Sequence, residues 1–258
     1  MRSRLITAAL AIPLVFIALY LGGPVFFIFM ALYSWGAMGE FARMLGLSSP
    51  AGAAVGGAIV LPFYLNLYFN FLPWDVYALL YLIISAAALF VLGFTRFTFA
   101  QATGLIFGGA YITVLASTLA LIRGMEQGLY LTLAVFLVTW GTDTFAYFSG
   151  KLLGKRKLCP SISPGKTWAG ALGGFGGGII IATVIGILIK GDLLLFFLWG
   201  VAAAALGQVG DLCESAFKRH AGVKDSGKFF PGHGGFLDRI DSLLFVSGLA
   251  YIFFRVGL

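Results

Sequence analysis

A short stretch near the carboxyl end of this chain concentrates residues that could act on phosphate groups. Half of the 10 acidic residues lie in the segment that begins at Asp211 and ends at Asp241, interleaved with lysine and arginine. Asp211, Ser215 and Lys218 are spaced i, i+4 and i+7, so a helix would present them on one face. Asp238 and Asp241 would share a face of a second helix in the same way. The spacing therefore predicts two neighbouring helix ends that both present carboxylates.

Carboxylates without zinc-type histidine and cysteine ligands are typical of a site for a hard cation. Mg²⁺ binds one or two carboxylates together with the phosphates of a substrate. Basic side chains nearby would hold the remaining phosphate oxygens. The basic residues of this kind are Lys218, Arg219, Lys224 and Arg239. The pattern indicates a phosphoryl-transfer or nucleotidyl-transfer site.

The rest of the chain is apolar enough to place this site at a membrane. Of its 258 residues 60% are hydrophobic and 10% charged, and the mean hydropathy is +0.99. Apolar runs of about 18 residues recur, and each can cross a hydrocarbon core of about 30 Å. We therefore predict an all-α, polytopic transmembrane helix bundle of about nine spans. These spans are 5–22, 24–43, 51–70, 76–93, 102–122, 129–150, 168–189, 193–217 and 238–256.

The placement of charge along these spans divides the chain and suggests an orientation. We predict that residues 1–125 form N-terminal spans for scaffolding and lipid access, and that residues 126–258 carry the catalytic motifs.

Most of the 17 lysines and arginines fall in loops on one side, which predicts a site facing the cytoplasm in the cell (inner) membrane. The net charge of +7 favours an anionic lipid or a phosphorylated small molecule as partner. No soluble basic domain is expected, which argues against nucleic acid.

A glycine-rich stretch forms the seventh predicted span. Its glycines recur three or four residues apart, a spacing typical of helices that pack closely in a membrane. They are Gly170, Gly173, Gly174, Gly177 and Gly178. We interpret this stretch as a packing surface, and a ligand-facing role is the alternative.

Two segments carry a longer pattern. The first reads Ser215-x2-Lys218-Arg219-x4-Lys224-Asp225-x-Gly227-x3-Pro231-Gly232-His233-Gly234-Gly235-x2-Asp238-Arg239-x-Asp241. The second contains Asp143, Tyr147, Gly150, Gly154 and Ser163-Pro164-x-Lys166-Thr167. Together they resemble the signature of the CDP-diacylglycerol synthases, also called phosphatidate cytidylyltransferases. The resemblance covers residues 140–242 in detail, and it departs from the family pattern at Gly165 and Ala169.

The resemblance implies a reaction in which CTP and phosphatidate give CDP-diacylglycerol and pyrophosphate. It implies Asp211 and Asp238 as the main Mg²⁺ ligands, with Asp241 assisting and Lys218 and Lys224 in catalytic contact with phosphate. The other implied substrate contacts are Ser163, Lys166, Thr167, Ser215, Arg219, Asp225, His233, Gly234, Gly235 and Arg239. Asp143 would orient the base or the ribose, or hold a second cation. A homodimer is implied by the resemblance only.

Two alternatives stay open at this level. A CTP-dependent lipid kinase would transfer the γ-phosphoryl group to a lipid alcohol and would release CDP. An ion-coupled membrane transporter would carry acidic residues near the middle of its spans and would contain inverted repeats. The acidic residues of this chain cluster instead near the ends of predicted spans, which favours the transferase.

Overall fold

A computed structural model describes residues 2–91, 93–232 and 234–257, with only the backbone described for residues 2–8 and 10. Its helices are α1 (Arg2–Leu21), α2 (Gly23–Met44), α3 (Ser49–Phe69), α4 (Trp74–Val91), α5 (Phe99–Gly108), α6 (Leu115–Arg123), α7 (Gly128–Leu153), α8 (Trp168–Leu188), α9 (Leu193–His220) and α10 (Asp241–Gly257). A π-helical segment, Gly109–Val114, joins α5 to α6 in one continuous span, and a short 3-10 turn covers Leu237–Arg239. Strands β1 (Lys157–Cys159) and β2 (Ser163–Thr167) form an antiparallel hairpin.

The predicted all-α transmembrane bundle is confirmed. Seven helices within the described part of the chain are long and apolar enough to cross a membrane, and they run from α2 to α9 with α5 and α6 counted as one span. Helices α1 and α10 account for the two remaining predicted spans. Large apolar side chains are exposed along these helices, and in α4 only Tyr81 is buried. Such surfaces are stable against lipid, and the chain is a multi-pass membrane protein.

The helices form two compact units. Residues 1–120 and 221–239 form one, here called the N-terminal unit. Residues 121–220 and 240–258 form the other, the C-terminal unit. The predicted division at residues 125 and 126 lies near the first of these boundaries, but it did not anticipate that the loop 221–239 groups with the N-terminal helices.

Close helix packing in the N-terminal unit depends on small residues. A Cβ atom at Gly52 would lie 3.0 Å from the carbonyl oxygen of Gly39, so α2 and α3 approach at their backbones. Buried hydroxyl groups add hydrogen bonds between neighbouring helices, since Ser34 Oγ lies 2.9 Å from Tyr64 Oη and Tyr81 donates to the Ile59 carbonyl at 2.8 Å. These contacts join α2 to α3 and α3 to α4.

The C-terminal unit is built around α8, and the interpretation of its glycines as a packing surface is confirmed. A Cβ atom at Gly170 would lie 2.8 Å from the Ala146 carbonyl of α7, and one at Gly174 would lie 2.8 Å from the Thr142 carbonyl. The same close approach continues between α8 and α9, where Gly200 faces Ala182. Helix α10 completes the unit by packing on α9 and α7.

The hairpin β1–β2 was not predicted from the sequence. Lys157 pairs with Thr167 and Cys159 pairs with Ser163, with a bulge between the two pairs. The turn is closed by the Ile162 amide, which donates to the Cys159 carbonyl at 3.3 Å. Because β2 runs directly into α8, the hairpin places its side chains beside the first turn of α8.

Candidate active site

A cavity of about 490 Å³ opens in the C-terminal unit, a volume within the range of small-molecule sites. Its walls come from α7, the hairpin, the first turn of α8, and α9. Five of the residues predicted for the site line it: Asp143, Ser163, Lys166, Thr167 and Asp211. The structure thus brings together residues that are up to 68 positions apart in the sequence.

An ion pair lies at the centre of this lining. Lys166 Nζ on β2 is 2.6 Å from Asp211 Oδ2 on α9, and the two side chains are 25% and 32% exposed. Asp211 also lies close to Ser215, whose Oγ is 3.5 Å from Asp211 Oδ1. The shared helix face predicted for Asp211 and Ser215 is therefore confirmed. A carboxylate and an ammonium group that remain partly exposed can both reach a ligand in the cavity.

Thr167 connects the cavity to the start of α8. Its Oγ1 accepts a hydrogen bond from the Gly170 amide at 3.1 Å and caps the helix. The side chain is buried, and Gly150 of α7 and Gly154, directly after the end of α7, lie against it. Ser163, at the other end of β2, is partly exposed in the cavity wall. Thr167 thus has a structural role in addition to the nucleotide contact that the resemblance implies.

The carboxylate of Asp241 is affected electrostatically by two other carboxylates of the C-terminal unit. Asp241 begins α10, and its carboxylate interacts with those of Asp211 and Asp143 and with the ammonium group of Lys218. Like charges at such a site repel unless cations lie among them. Oxygen donors without a histidine or cysteine ligand are the set that Mg²⁺ prefers, so these residues fit that ion. Among the described residues, however, no group of three or more metal-binding side chains is preassembled.

Two basic residues at the end of α9 have partners of their own. Lys218 forms an ion pair with Glu214, whose side chain is fully buried. Arg219 Nε donates to the Ile162 carbonyl at 3.2 Å, and this bond ties α9 to the turn of the hairpin. Both residues remain predicted phosphate contacts, and the structure adds these anchors.

The predicted shared helix face of Asp238 and Asp241 is wrong. Helix α10 begins at Asp241, whereas Asp238 lies in the 3-10 turn that precedes it. The physical reason is that Asp238 Oδ2 accepts hydrogen bonds from the Ser226 amide at 2.9 Å, from Ser226 Oγ at 2.9 Å and from the Gly235 amide at 2.7 Å. These bonds fix the carboxylate in the loop of the N-terminal unit.

The same loop carries the remaining predicted residues. Lys224, Asp225 and Arg239 are exposed, and Gly234 has a φ of +82°, which favours glycine. His233 lies outside the described residues, so its predicted contact with substrate stays a prediction.

Comparison with known proteins decides the family. The family model described as the cytidylyltransferase family matches residues 2–257. The chain belongs to the cytidylyltransferase family. It is 36% identical over 263 residues to the phosphatidate cytidylyltransferase of Staphylococcus saprophyticus, with 98% of each chain covered. It is also 36% identical to that of Staphylococcus aureus strain COL and 34% identical to that of Staphylococcus haemolyticus, again with 98% of each chain covered.

Sequence reasoning had missed two residues of this cytidylyltransferase. Gln208 lines the cavity one turn before Asp211, and its Nε2 donates to the carbonyls of Ala171 and Ala204. Gln208 lies three residues before Asp211, so the two share a helix face, and this spacing could have identified it from the sequence. Glu40, in the N-terminal unit, contacts the loop 221–239, and the signal there was a single acidic residue within a predicted span.

Proposed function

We propose that this cytidylyltransferase uses phosphatidate as its lipid substrate and CTP as its nucleotide, giving CDP-diacylglycerol and pyrophosphate in phospholipid biosynthesis. The observation that carries the proposal is similarity over 98% of the chain to several proteins named phosphatidate cytidylyltransferase. The cavity of the C-terminal unit supports it, because an ammonium group and carboxylates line one space large enough for a nucleotide.

In this reaction a phosphate oxygen of phosphatidate attacks the α-phosphorus of CTP. One P–O bond forms there, and the bond between the α-phosphorus and its bridging oxygen breaks, so that pyrophosphate leaves with that electron pair. A phosphate monoester has a second pKa near 6, so the nucleophile is largely a dianion at neutral pH and needs no strong base. The main task of the protein is to hold two polyanions together in line.

Lys166 is the residue best placed for this task. Its ammonium group lies in the cavity wall and is paired with Asp211, so an incoming phosphate group can compete for it. Lys218, Arg219, Lys224 and Arg239 are proposed as further phosphate contacts. Ser163 and Thr167 are proposed as nucleotide contacts, with Asp143 near the base, the ribose or a second cation.

We propose Mg²⁺ as the cofactor, with Asp211 and Asp241 as ligands in the C-terminal unit. Their carboxylates repel each other, and a divalent cation would relieve that repulsion. When bound there, Mg²⁺ would neutralise negative charge on the phosphates of the substrate. The assignment of Asp238 as a ligand remains a proposal from the sequence pattern.

We further propose that the site faces the cytoplasm and that the chain is embedded in the inner membrane. The support is the excess of lysine and arginine in loops on the side of the site. A homodimer is proposed from the family resemblance.

Product analysis tests the function. The purified chain is given CTP, Mg²⁺ and phosphatidate in detergent micelles, and the expected products are pyrophosphate and CDP-diacylglycerol in equal amounts. Release of CDP with a phosphorylated lipid would indicate the kinase instead. Asp211→Asn is expected to raise the Mg²⁺ concentration needed for half-maximal rate, and an unchanged requirement would remove Asp211 from the ligand set.

A further inference from the structure

A buried carboxylate in the N-terminal unit has no assigned role. Glu40 lies in the last turns of α2 and is 2% exposed. A carboxylate buried in a membrane-spanning helix is costly unless hydrogen bonds or opposite charges compensate for its lost hydration. Arg43 Nη2 lies 3.8 Å from Glu40 Oε1, a long distance for an ion pair, and the Arg43 side chain is 40% exposed. The main compensation must come from elsewhere.

That compensation comes from the loop 221–239. Glu40 Oε2 accepts a hydrogen bond from Ser226 Oγ at 2.8 Å and one from the Leu237 amide at 3.1 Å. A Cβ atom at Gly227 or at Gly235 would collide with the Glu40 carboxylate. The loop backbone therefore packs directly on the Glu40 side chain at two segments, Ser226–Gly227 and Gly235–Leu237.

Ser226 links Glu40 to Asp238. Its Oγ lies 2.8 Å from Glu40 Oε2 and 2.9 Å from Asp238 Oδ2, and it accepts from the Asp238 amide at 3.3 Å. The hydroxyl group has one hydrogen, so it can donate to only one of the two carboxylates at a time. Asp238 also accepts from the Gly235 amide at 2.7 Å. The three side chains thus form one network, in which Glu40 and Ser226 are buried and Asp238 is partly exposed, and this network sets the path of the loop.

We propose that Glu40 is a positioning residue that holds the loop 221–239 in its active conformation through Ser226 and the Leu237 amide. This proposal rests on the proposed function, because the loop carries Lys224, Asp238 and Arg239 as expected substrate contacts. Glu40 itself acts only through hydrogen bonds to the loop. An acceptor oxygen at this position is therefore sufficient, and a negative charge is not required.

Three variants of the full-length protein test the proposal. Glu40→Ala removes both acceptors and leaves the Leu237 amide without its partner, so kcat is expected to fall about 10-fold to 100-fold with a smaller change in KM for CTP. Glu40→Gln keeps an acceptor oxygen and is expected to stay within about 5-fold of the parent. Ser34→Ala is the matched control, because it removes a buried hydrogen bond that α2 makes to Tyr64 of α3 and not to the loop.

A double-mutant cycle separates positioning from general destabilisation. If Glu40 acts in part through Ser226, the loss of activity in Glu40→Ala with Ser226→Ala should be smaller than the sum of the losses in the two single variants. Fully additive losses, or Glu40→Gln as inactive as Glu40→Ala in folded protein, would overturn the proposal. So would a loss in Ser34→Ala as large as that in Glu40→Ala.

Hydrogen exchange of the loop gives a readout that does not depend on the reaction. Peptides that contain Ser226, Gly235 and Leu237 should exchange faster in Glu40→Ala than in Glu40→Gln or in the parent. The Leu237 amide loses its acceptor directly. The Ser226 and Gly235 amides donate to Asp238, and they are exposed when the loop loses the conformation that Glu40 fixes. Unchanged exchange would overturn the positioning role. If exchange is faster in Glu40→Ala but the parent protein itself makes no CDP-diacylglycerol, the proposed function is overturned and the structural role of Glu40 stands.

Discussion

The close contact of α7 and α8 can be tested with one pair of glycine substitutions. Gly174 and Gly176 both lie inside α8, two residues apart. A Cβ atom at Gly174 would lie 2.8 Å from the Thr142 carbonyl oxygen and 2.9 Å from Ala146 Cβ. A Cβ atom at Gly176 would have no atom within 4 Å. The two alanine variants therefore add the same methyl group to the same helix in two very different surroundings.

The expected magnitude follows from this difference. Both substitutions gain the same helix propensity, up to about 1 kcal/mol each, and this contribution cancels when the two variants are compared. What remains is the overpacking at Gly174, where a backbone oxygen cannot rotate away and α7 must shift. Overpacking of this kind costs about 1–3 kcal/mol. For a chain of this size that corresponds to a difference in Tm of about 2–12 °C.

The assay is thermal unfolding of both variants in the same detergent, followed by pyrophosphate release at a temperature where both are folded. Gly174→Ala should unfold at the lower temperature, and it should also lose activity because Asp143 on α7 moves relative to the hairpin. Gly176→Ala should match or exceed the parent in Tm and keep its activity. Equal Tm values for the two variants would refute the inference that α7 and α8 are in backbone contact at Gly174.

Three other substitutions test individual side chains. Lys166→Ala should lower kcat/KM for CTP about 10-fold to 150-fold, since a charge-assisted contact with phosphate is lost, and Lys166→Arg should restore part of it; an unchanged kcat/KM would place the phosphates elsewhere. Thr167→Val should lower the free energy of unfolding by about 1 kcal/mol because α8 loses its cap, whereas Thr167→Ser should not; equal stability of the two would argue against the cap. Glu214→Ala should destabilise by about 3–5 kcal/mol because Lys218 loses its buried partner, and Lys218→Met in the same chain should recover much of the loss; no recovery would contradict the pairing.

The membrane architecture and part of the site could be predicted because both depend on short-range patterns. Apolar runs of span length identify transmembrane helices wherever they lie in a fold, and all nine predicted spans have a matching helix. The glycine spacing in α8 predicted close packing, since residues three or four apart share a helix face. Asp211 and Ser215 were placed together by the same rule.

Other features depended on contacts that no local pattern contains. Asp238 and Asp241 have the spacing of a shared helix face, but hydrogen bonds to Ser226 and Gly235 hold Asp238 in the loop and delay the start of α10. The hairpin was missed because its strands are only three and five residues long. Such short strands carry too little alternation of polar and apolar residues to be recognised.

The sequence by itself determined that this chain is embedded in a membrane and that its charged residues are gathered in two segments, because composition and residue type are local properties. The motifs in those segments carried the resemblance that implied a transferase. Only the tertiary structure decided which of those residues meet. It paired Lys166 with Asp211 and brought Glu40 to Ser226, 186 positions away. A buried carboxylate is stable only where the folded chain supplies its donors, so its partner is set by the fold.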